Sequence, residues 1–171
     1  MDTVIDLIKV LGPALIVLYA VFLMMRSFLN NRLEESRLDL QQKSREITLP
    51  IRLQAYERIT LLLERITPAN VVSRLNKPDL TSSDLMHILI KEIREEYSHN
   101  LSQQLYMSDE AWTYVSGAVE DTITIINEAA RTVEPESKSV ELAKVIFEKS
   151  INNNSLVNAL AYIKNEIRGV F

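Results

Sequence analysis

The chain has 171 residues, a formal net charge of −4 and no cysteine. An acidic chain with few aromatic residues argues against nucleic-acid binding, and the lack of cysteine leaves no thiol nucleophile. The three glycines are isolated, so no glycine-rich phosphate loop is present, and there is no Gly-x-Ser-x-Gly motif. These absences favour a protein that is not an enzyme.

The N-terminal part of the chain contains an uncharged, apolar run, Val10–Met25, that is sixteen residues long. A membrane-spanning helix needs roughly 20 mostly apolar residues. The flanking Lys9 and Arg26 can extend their charged ends towards the lipid headgroups. The effective span is then Ile8–Leu29, roughly 33 Å at ~1.5 Å per residue, which matches a hydrocarbon core of about 30 Å. We therefore predict an N-terminal segment with a transmembrane anchor over residues 1–29.

Two other interpretations of this run are a cleaved signal peptide and a buried core helix. Asp2, Asp6 and Lys9 give the preceding residues a net charge of −1, and no small-residue cleavage site follows the run, both unlike a signal peptide. A highly polar segment follows at once, which disfavours a core helix. Only Lys9 precedes the span, whereas five basic residues follow it: Arg26, Arg32, Arg37, Lys43 and Arg45. The prediction is a single pass, with the N-terminus outside and the C-terminal domain in the cytoplasm.

Residues 30–48 are predicted to form a helical stalk. Glycine and proline are absent from this stretch, and Leu33, Leu40 and Ile47 recur every seven residues. A coiled coil needs two apolar positions in each heptad, and only one is filled here. Self-association through the stalk is therefore an open alternative.

Pro50 predicts a helix boundary, with Thr48 as the N-cap and the proline in the first turn of a new helix. Pro68 is predicted to end that helix, and Thr67–Leu80 to form a loop or short turn. Six residues of the new helix fall on one face and form a candidate core stripe: Ala55, Tyr56, Ile59, Leu62, Leu63 and Ile66.

Capping signals divide the rest of the chain into further helices. Thr81–Asp84 begins a helix predicted to run to about Tyr106, and Ser108 caps the next, which Pro135 closes. A shorter helix covers Ser139–Ser150, and a last helix follows a turn at residues 152–154. No strand-like alternation occurs. The predicted fold class is therefore all-α: an N-terminal transmembrane helix that continues into a helical stalk, followed by a four- to five-helix bundle over residues 49–171.

The helix after Asp84 carries an unusual polar face. If it is one helix to Gln104 at ~100° per residue, the face that begins with Leu85 and Leu89 later carries Glu96, His99, Asn100 and Gln103. Either this face ends in water, or its side chains stay inside the bundle and form a hydrogen-bonded network, because unpaired buried polar groups are costly. In the second case Arg52, one turn before Tyr56, is the candidate partner.

Glu96 and His99 also have the Glu-x-x-His spacing of di-iron helical bundles. Such sites need two of these motifs and further carboxylates. The chain has only two histidines, and the other, His87, has no glutamate three residues earlier. We therefore predict neither a metal ion nor any other cofactor.

Two strings of residues resemble a known family: Leu49-Pro-Ile-Arg-Leu-Gln-Ala-Tyr-Glu-Arg58 and Glu95-Glu-Tyr-Ser-His-Asn-Leu-Ser-Gln-Gln-Leu-Tyr106, with Ser108 and Trp112 following. The family consists of small, uncharacterised single-pass membrane proteins of Gram-negative bacteria. The resemblance covers nearly the whole chain and implies this architecture. It implies no activity.

The leading functional prediction is a non-enzymatic inner-membrane protein, anchored in the lipid bilayer, whose cytoplasmic helical bundle binds another protein or itself. An alternative is a ligand- or ion-responsive sensor that uses the polar cluster around His99. In both cases the candidate residues of the interaction surface or polar network are the same: Arg52, Tyr56, Glu96, His99, Asn100, Gln103 and Gln104.

Overall fold

The computed structural model describes the backbone of residues 2–169 and the side chains of residues 16–40 and 42–169. These residues form α1 (Asp2–Arg65), α2 (Pro68–Leu75), α3 (Ser82–Asn100), a 3₁₀ helix η1 (Leu101–Tyr106), α4 (Asp109–Ala130), α5 (Ser139–Ser150) and α6 (Ser155–Arg168). No strand occurs in this part of the chain; the one β-bridge joins Thr81 to Lys138. The prediction of an all-α fold is confirmed.

The chain divides into two compact units, one up to Leu49 and one from Pro50 onward. In the first unit every described side chain from residue 16 to residue 48 is exposed, including the predicted heptad residues Leu33, Leu40 and Ile47. Among the residues that the structure describes, no helix contains a stretch long and apolar enough to cross a membrane. The predicted span Ile8–Leu29 lies partly outside these residues, because its side chains are described only from Ile16 onward.

The prediction that a new helix begins at Pro50 is wrong, because α1 continues through this residue. Thr48 is not a cap: its hydroxyl donates to the Ser44 carbonyl oxygen at 2.8 Å, inside the helix. A proline removes one backbone donor and crowds the carbonyl four residues earlier. No glycine or second proline lies close to Pro50 to end the helix, so the disturbance stays local.

The second unit is a helical bundle around one hydrophobic core, to which the end of α1 and helices α2–α6 all contribute. The predicted core stripe is confirmed, since all six of its residues, five in α1 and Ile66 directly after it, are buried. The bundle has one helix more than expected. Helix α2 lies inside the predicted loop: Thr67 caps it by accepting a hydrogen bond from the Asn70 amide, Pro68 occupies its first turn, and Val71 and Val72 are buried.

The predicted caps of α3 and α4 are both confirmed. Thr81 and Asp84 form a reciprocal capping box, and the Ser108 hydroxyl accepts from the Ala111 amide at 3.0 Å. The single helix predicted from Asp84 to Tyr106 is wrong, since α3 ends at Asn100.

A side-chain bond to the helix backbone lies at the end of α3. The Asn100 side-chain amide donates to the Glu96 carbonyl oxygen at 2.8 Å, the acceptor that the backbone amide of residue 100 would use in an α-helix. The chain continues as the 3₁₀ helix η1, in which successive residues turn by a larger angle than in an α-helix. Helix α4 ends at Ala130, well before Pro135.

Candidate functional site

The carboxylate of Glu166, near the end of α6, joins three elements of the bundle. Its Oε1 accepts from the Tyr56 hydroxyl of α1 at 2.6 Å and from the Ser108 backbone amide at 3.0 Å. Its Oε2 accepts from the Ser108 hydroxyl at 2.9 Å. The Arg52 guanidinium lies 3.9 Å from Oε1. We call Arg52, Tyr56, Ser108 and Glu166 the Glu166 cluster.

Local sequence rules orient each of these groups on its own helix. Tyr56 belongs to the buried stripe of α1 and is only 4% exposed, and Arg52 lies one helical turn before it. Glu166 follows the buried Ile163 by three residues, so the two lie on neighbouring positions of one face. Ser108 caps α4, which places the carboxylate at the positive end of that helix dipole.

The surroundings of Glu166 favour its charged form. Burial by itself would raise the pKa of this carboxyl group. The hydrogen bonds from Tyr56 and Ser108, with the positive charge of Arg52, outweigh burial and lower the pKa below its ordinary value of 4.5. Burial and the hydrogen bond to the carboxylate raise the pKa of Tyr56 to about 12. At neutral pH the cluster therefore holds an ionised carboxylate and a neutral phenol.

Arg52 also holds the end of η1. Its Nε donates to the backbone carbonyl oxygen of Tyr106 at 3.1 Å, and its guanidinium lies 6.0 Å from the centre of the Tyr56 ring. Carbonyl groups at a helix end lack partners within the helix, so Arg52 supplies a donor that the backbone does not. The contact fixes the last residue of η1 without using the Tyr106 side chain.

The predicted polar face does not form a single network. Glu96 pairs with Arg65 at 2.7 Å, and Asn100 bonds to the backbone of its own helix. Gln103 is buried and its amide donates to the Ser102 hydroxyl at 3.3 Å. The two remaining residues, His99 and Gln104, are exposed.

The expectation that Arg52 would be the partner of this face is therefore wrong. Arg52 bonds to Tyr106 and Glu166 instead. Within α3, Glu96 pairs with Arg65 instead. For Gln103 and Gln104 the physical reason is the end of α3 at Asn100, because the angular positions calculated for an α-helix do not apply beyond it. Of the seven predicted residues, the structure brings Arg52 and Tyr56 together in the Glu166 cluster. Glu166 itself was not predicted, and its position after Ile163 is the one local signal that pointed inward.

A groove lies beside the cluster, between α1 and η1. It has a volume of about 290 Å³. Leu105 is 78% exposed there, the most exposed large apolar side chain of the described bundle. We call this feature the η1 groove, and its lining residues are Ile51, Gln54, Arg58, Ser102, Gln103, Leu105 and Tyr106.

Among the described residues, no group of three or more His, Cys, Asp or Glu side chains lies close enough to hold one metal ion. Glu96 is engaged by Arg65, and His99 is exposed.

The Glu166 cluster predicts a specific loss of stability on changing Glu166→Gln. The amide keeps the shape of the side chain. It replaces one of the carboxylate oxygens that accept from Ser108 and Tyr56, and it loses the negative charge that faces Arg52. Since hydrogen bonds to charged groups contribute about 1.5–3 kcal/mol, we expect the free energy of unfolding to fall by about 2 kcal/mol. Urea unfolding of the full chain, followed by the fluorescence of Trp112, measures this.

Glu110→Gln is the matched control for that variant. Glu110 also lies at the start of α4 and accepts from the Tyr162 hydroxyl at 2.8 Å, but in an exposed position. A much smaller loss is expected there, because exposed charges are screened by water. Equal losses in the two variants would contradict the role given to Glu166.

The lowered pKa of Glu166 predicts how the difference in stability between wild type and Glu166→Gln changes with pH. A carboxyl group with a lowered pKa in the folded state stabilises the fold above its unfolded-state pKa, near 4.5, and loses that effect as pH falls through its folded-state pKa. Gln cannot be protonated in this range. The stability gap between wild type and Glu166→Gln should therefore be full at pH 7 and narrow below pH 4.5. Urea unfolding across this range tests it, and a constant gap would refute it.

The chain was compared with known protein families, curated proteins and solved structures. The model of a family of unknown function, DUF7935, matches residues 2–170. No curated protein and no solved structure matches the chain. The match supports the expected uncharacterised family, whereas the membrane location and the Gram-negative source stay predictions. Because the match extends over nearly the whole sequence, the chain belongs to the DUF7935 family of unknown function.

Proposed function

We propose that this protein is a non-enzymatic adaptor, anchored in the inner membrane by the N-terminal part of α1, whose helical bundle binds another protein. The observation that carries the proposal is that η1 has a fixed backbone and an exposed apolar side chain. Arg52 fixes the carbonyl group of Tyr106, while the Leu105 side chain next to it stays 78% exposed. A fixed backbone that presents apolar side chains to water is typical of a binding surface.

The composition of α1 supports the anchor. The uncharged run Val10–Met25 is followed by five basic residues within twenty positions, as expected for a span whose C-terminal side faces the cytoplasm. Its described apolar side chains, among them Ile16, Phe22 and Met24, are exposed in the helix. Contact with lipid would remove these side chains from water.

The state of the predicted polar residues favours protein binding over the sensor alternative. A sensor that uses the cluster around His99 needs polar side chains that converge on a cavity. His99 and Gln104 are exposed. Glu96 pairs with Arg65 of α1, and the Asn100 side chain bonds to the backbone of α3. Exposed side chains next to Leu105 can instead contribute to the polar rim of a protein interface.

Cross-linking in native membranes tests this function. The full chain is cross-linked in its own membrane and purified, and the bound proteins are identified by mass spectrometry. We expect one reproducible partner whose yield falls at least tenfold in the Leu105→Ser variant. This change leaves the contact between Arg52 and Tyr106 in place, because Arg52 binds the backbone of residue 106.

Val157→Ser serves as the matched control. Val157 is an apolar residue of α6 that is 62% exposed and does not line the η1 groove. The control should keep the full yield of partner. Recovery of no specific protein, or an equal loss in both variants, would contradict the proposal.

A further inference from the structure

The η1 groove combines apolar, amide and cationic side chains. Ile51 and Leu105 supply exposed aliphatic surface, Gln54 and Gln103 supply amide groups, and Arg58 supplies a positive charge. An aliphatic contact beside amide groups and one cation suits a peptide segment, whose side chains can use the apolar surface while its backbone bonds to the amides.

The charge of the groove is opposite to that of the bundle around it. Residues 50–171 contain thirteen Lys and Arg against seventeen Asp and Glu. No carboxylate is among the seven residues that line the groove. Arg58 takes part in no ion pair with the side chains of residues 16–40 and 42–169. This guanidinium is therefore available to a carboxylate from outside.

The size of the groove also restricts its occupant. At about 290 Å³ it lies at the lower limit of sites that bury a small molecule, which range over roughly 300–1,000 Å³. It lies open between two helical elements and is large enough for one or two side chains. A protein segment can place such side chains in the groove and make its remaining contacts on the surrounding surface.

We infer that the η1 groove binds a segment of a different protein in which an Asp or Glu carboxylate lies next to apolar side chains. The carboxylate pairs with Arg58, and the apolar side chains cover Leu105 and Ile51. Charge-assisted bonds between a guanidinium and a carboxylate are among the stronger polar contacts, so Arg58 sets the specificity. The inference rests on the proposed function and names the chemistry of its partner.

Site-specific photo-cross-linking of the full chain in its own membrane tests the inference. A photoreactive phenylalanine analogue replaces Leu105 in one protein and Val157 in a second, and the cross-linked segments are sequenced. We expect a cross-link from position 105 to a protein segment with an Asp or Glu beside apolar residues. Arg58→Glu should lower its yield at least tenfold, and a change of the partner's carboxylate to Lys should restore it.

Arg94→Glu is the matched charge control, since Arg94 is an exposed residue of α3 outside the groove. Equal effects of the two charge reversals, or a cross-linked segment without a carboxylate, would overturn the inference. So would a cross-link from position 105 to lipid or to a second copy of the chain. A cross-link to another protein from position 157 alone would refute binding at the η1 groove, but it would still support the adaptor function. No cross-link from either position would refute both.

Discussion

One partly buried carboxylate, that of Glu166, joins the end of α1, the start of α4 and α6 through its hydrogen bonds. Moving a charged group out of water costs several kcal/mol unless donors replace the lost hydration. Glu166 obtains its donors from three places in the chain: the Tyr56 hydroxyl, the backbone and hydroxyl of Ser108, and the guanidinium of Arg52. The lowered pKa of Glu166 indicates that these donors outweigh its desolvation. The contacts of this carboxylate thus hold α1, the start of α4 and α6 together.

Arg52 connects η1 to the same cluster. Arg52 lies between Glu166 and the carbonyl group of Tyr106, so the contact that neutralises the carboxylate also fixes the end of the 3₁₀ helix. The Leu105 side chain is then held in water beside Arg58 and Gln103, along the η1 groove. A surface fixed in advance loses less conformational entropy on binding than a mobile loop would. This links the buried cluster to the proposed adaptor function.

Local rules were sufficient for those parts of the fold that depend on neighbouring residues. The apolar stripe from Ala55 to Ile66 and the caps at Thr81 and Ser108 follow from helical spacing and hydrogen-bonding chemistry within a few residues. The continuation of α1 through Pro50 could not be predicted from such local rules. A proline is a signal for a boundary, and the surrounding helix overrode it.

The candidate site was harder to predict because it depends on contacts between distant segments. The polar face of α3 was projected from a single helical period, and the end of α3 at Asn100 made that projection invalid beyond residue 100. Arg52 and Tyr56 were identified, but their partner Glu166 lies more than a hundred residues later. Its role depends on the register of α6 against α4 and α1, which no local pattern encodes.

Amide hydrogen exchange of the full chain, in wild type and in the Glu166→Gln variant, tests the central role of the cluster most directly. The account predicts faster exchange in residues 101–108 and in the last turn of α6 in the variant. The buried centre of α3, from Leu85 to Ile93, should exchange at the wild-type rate. Unchanged exchange in residues 101–108 would show that η1 is held independently of Glu166 and would contradict the account.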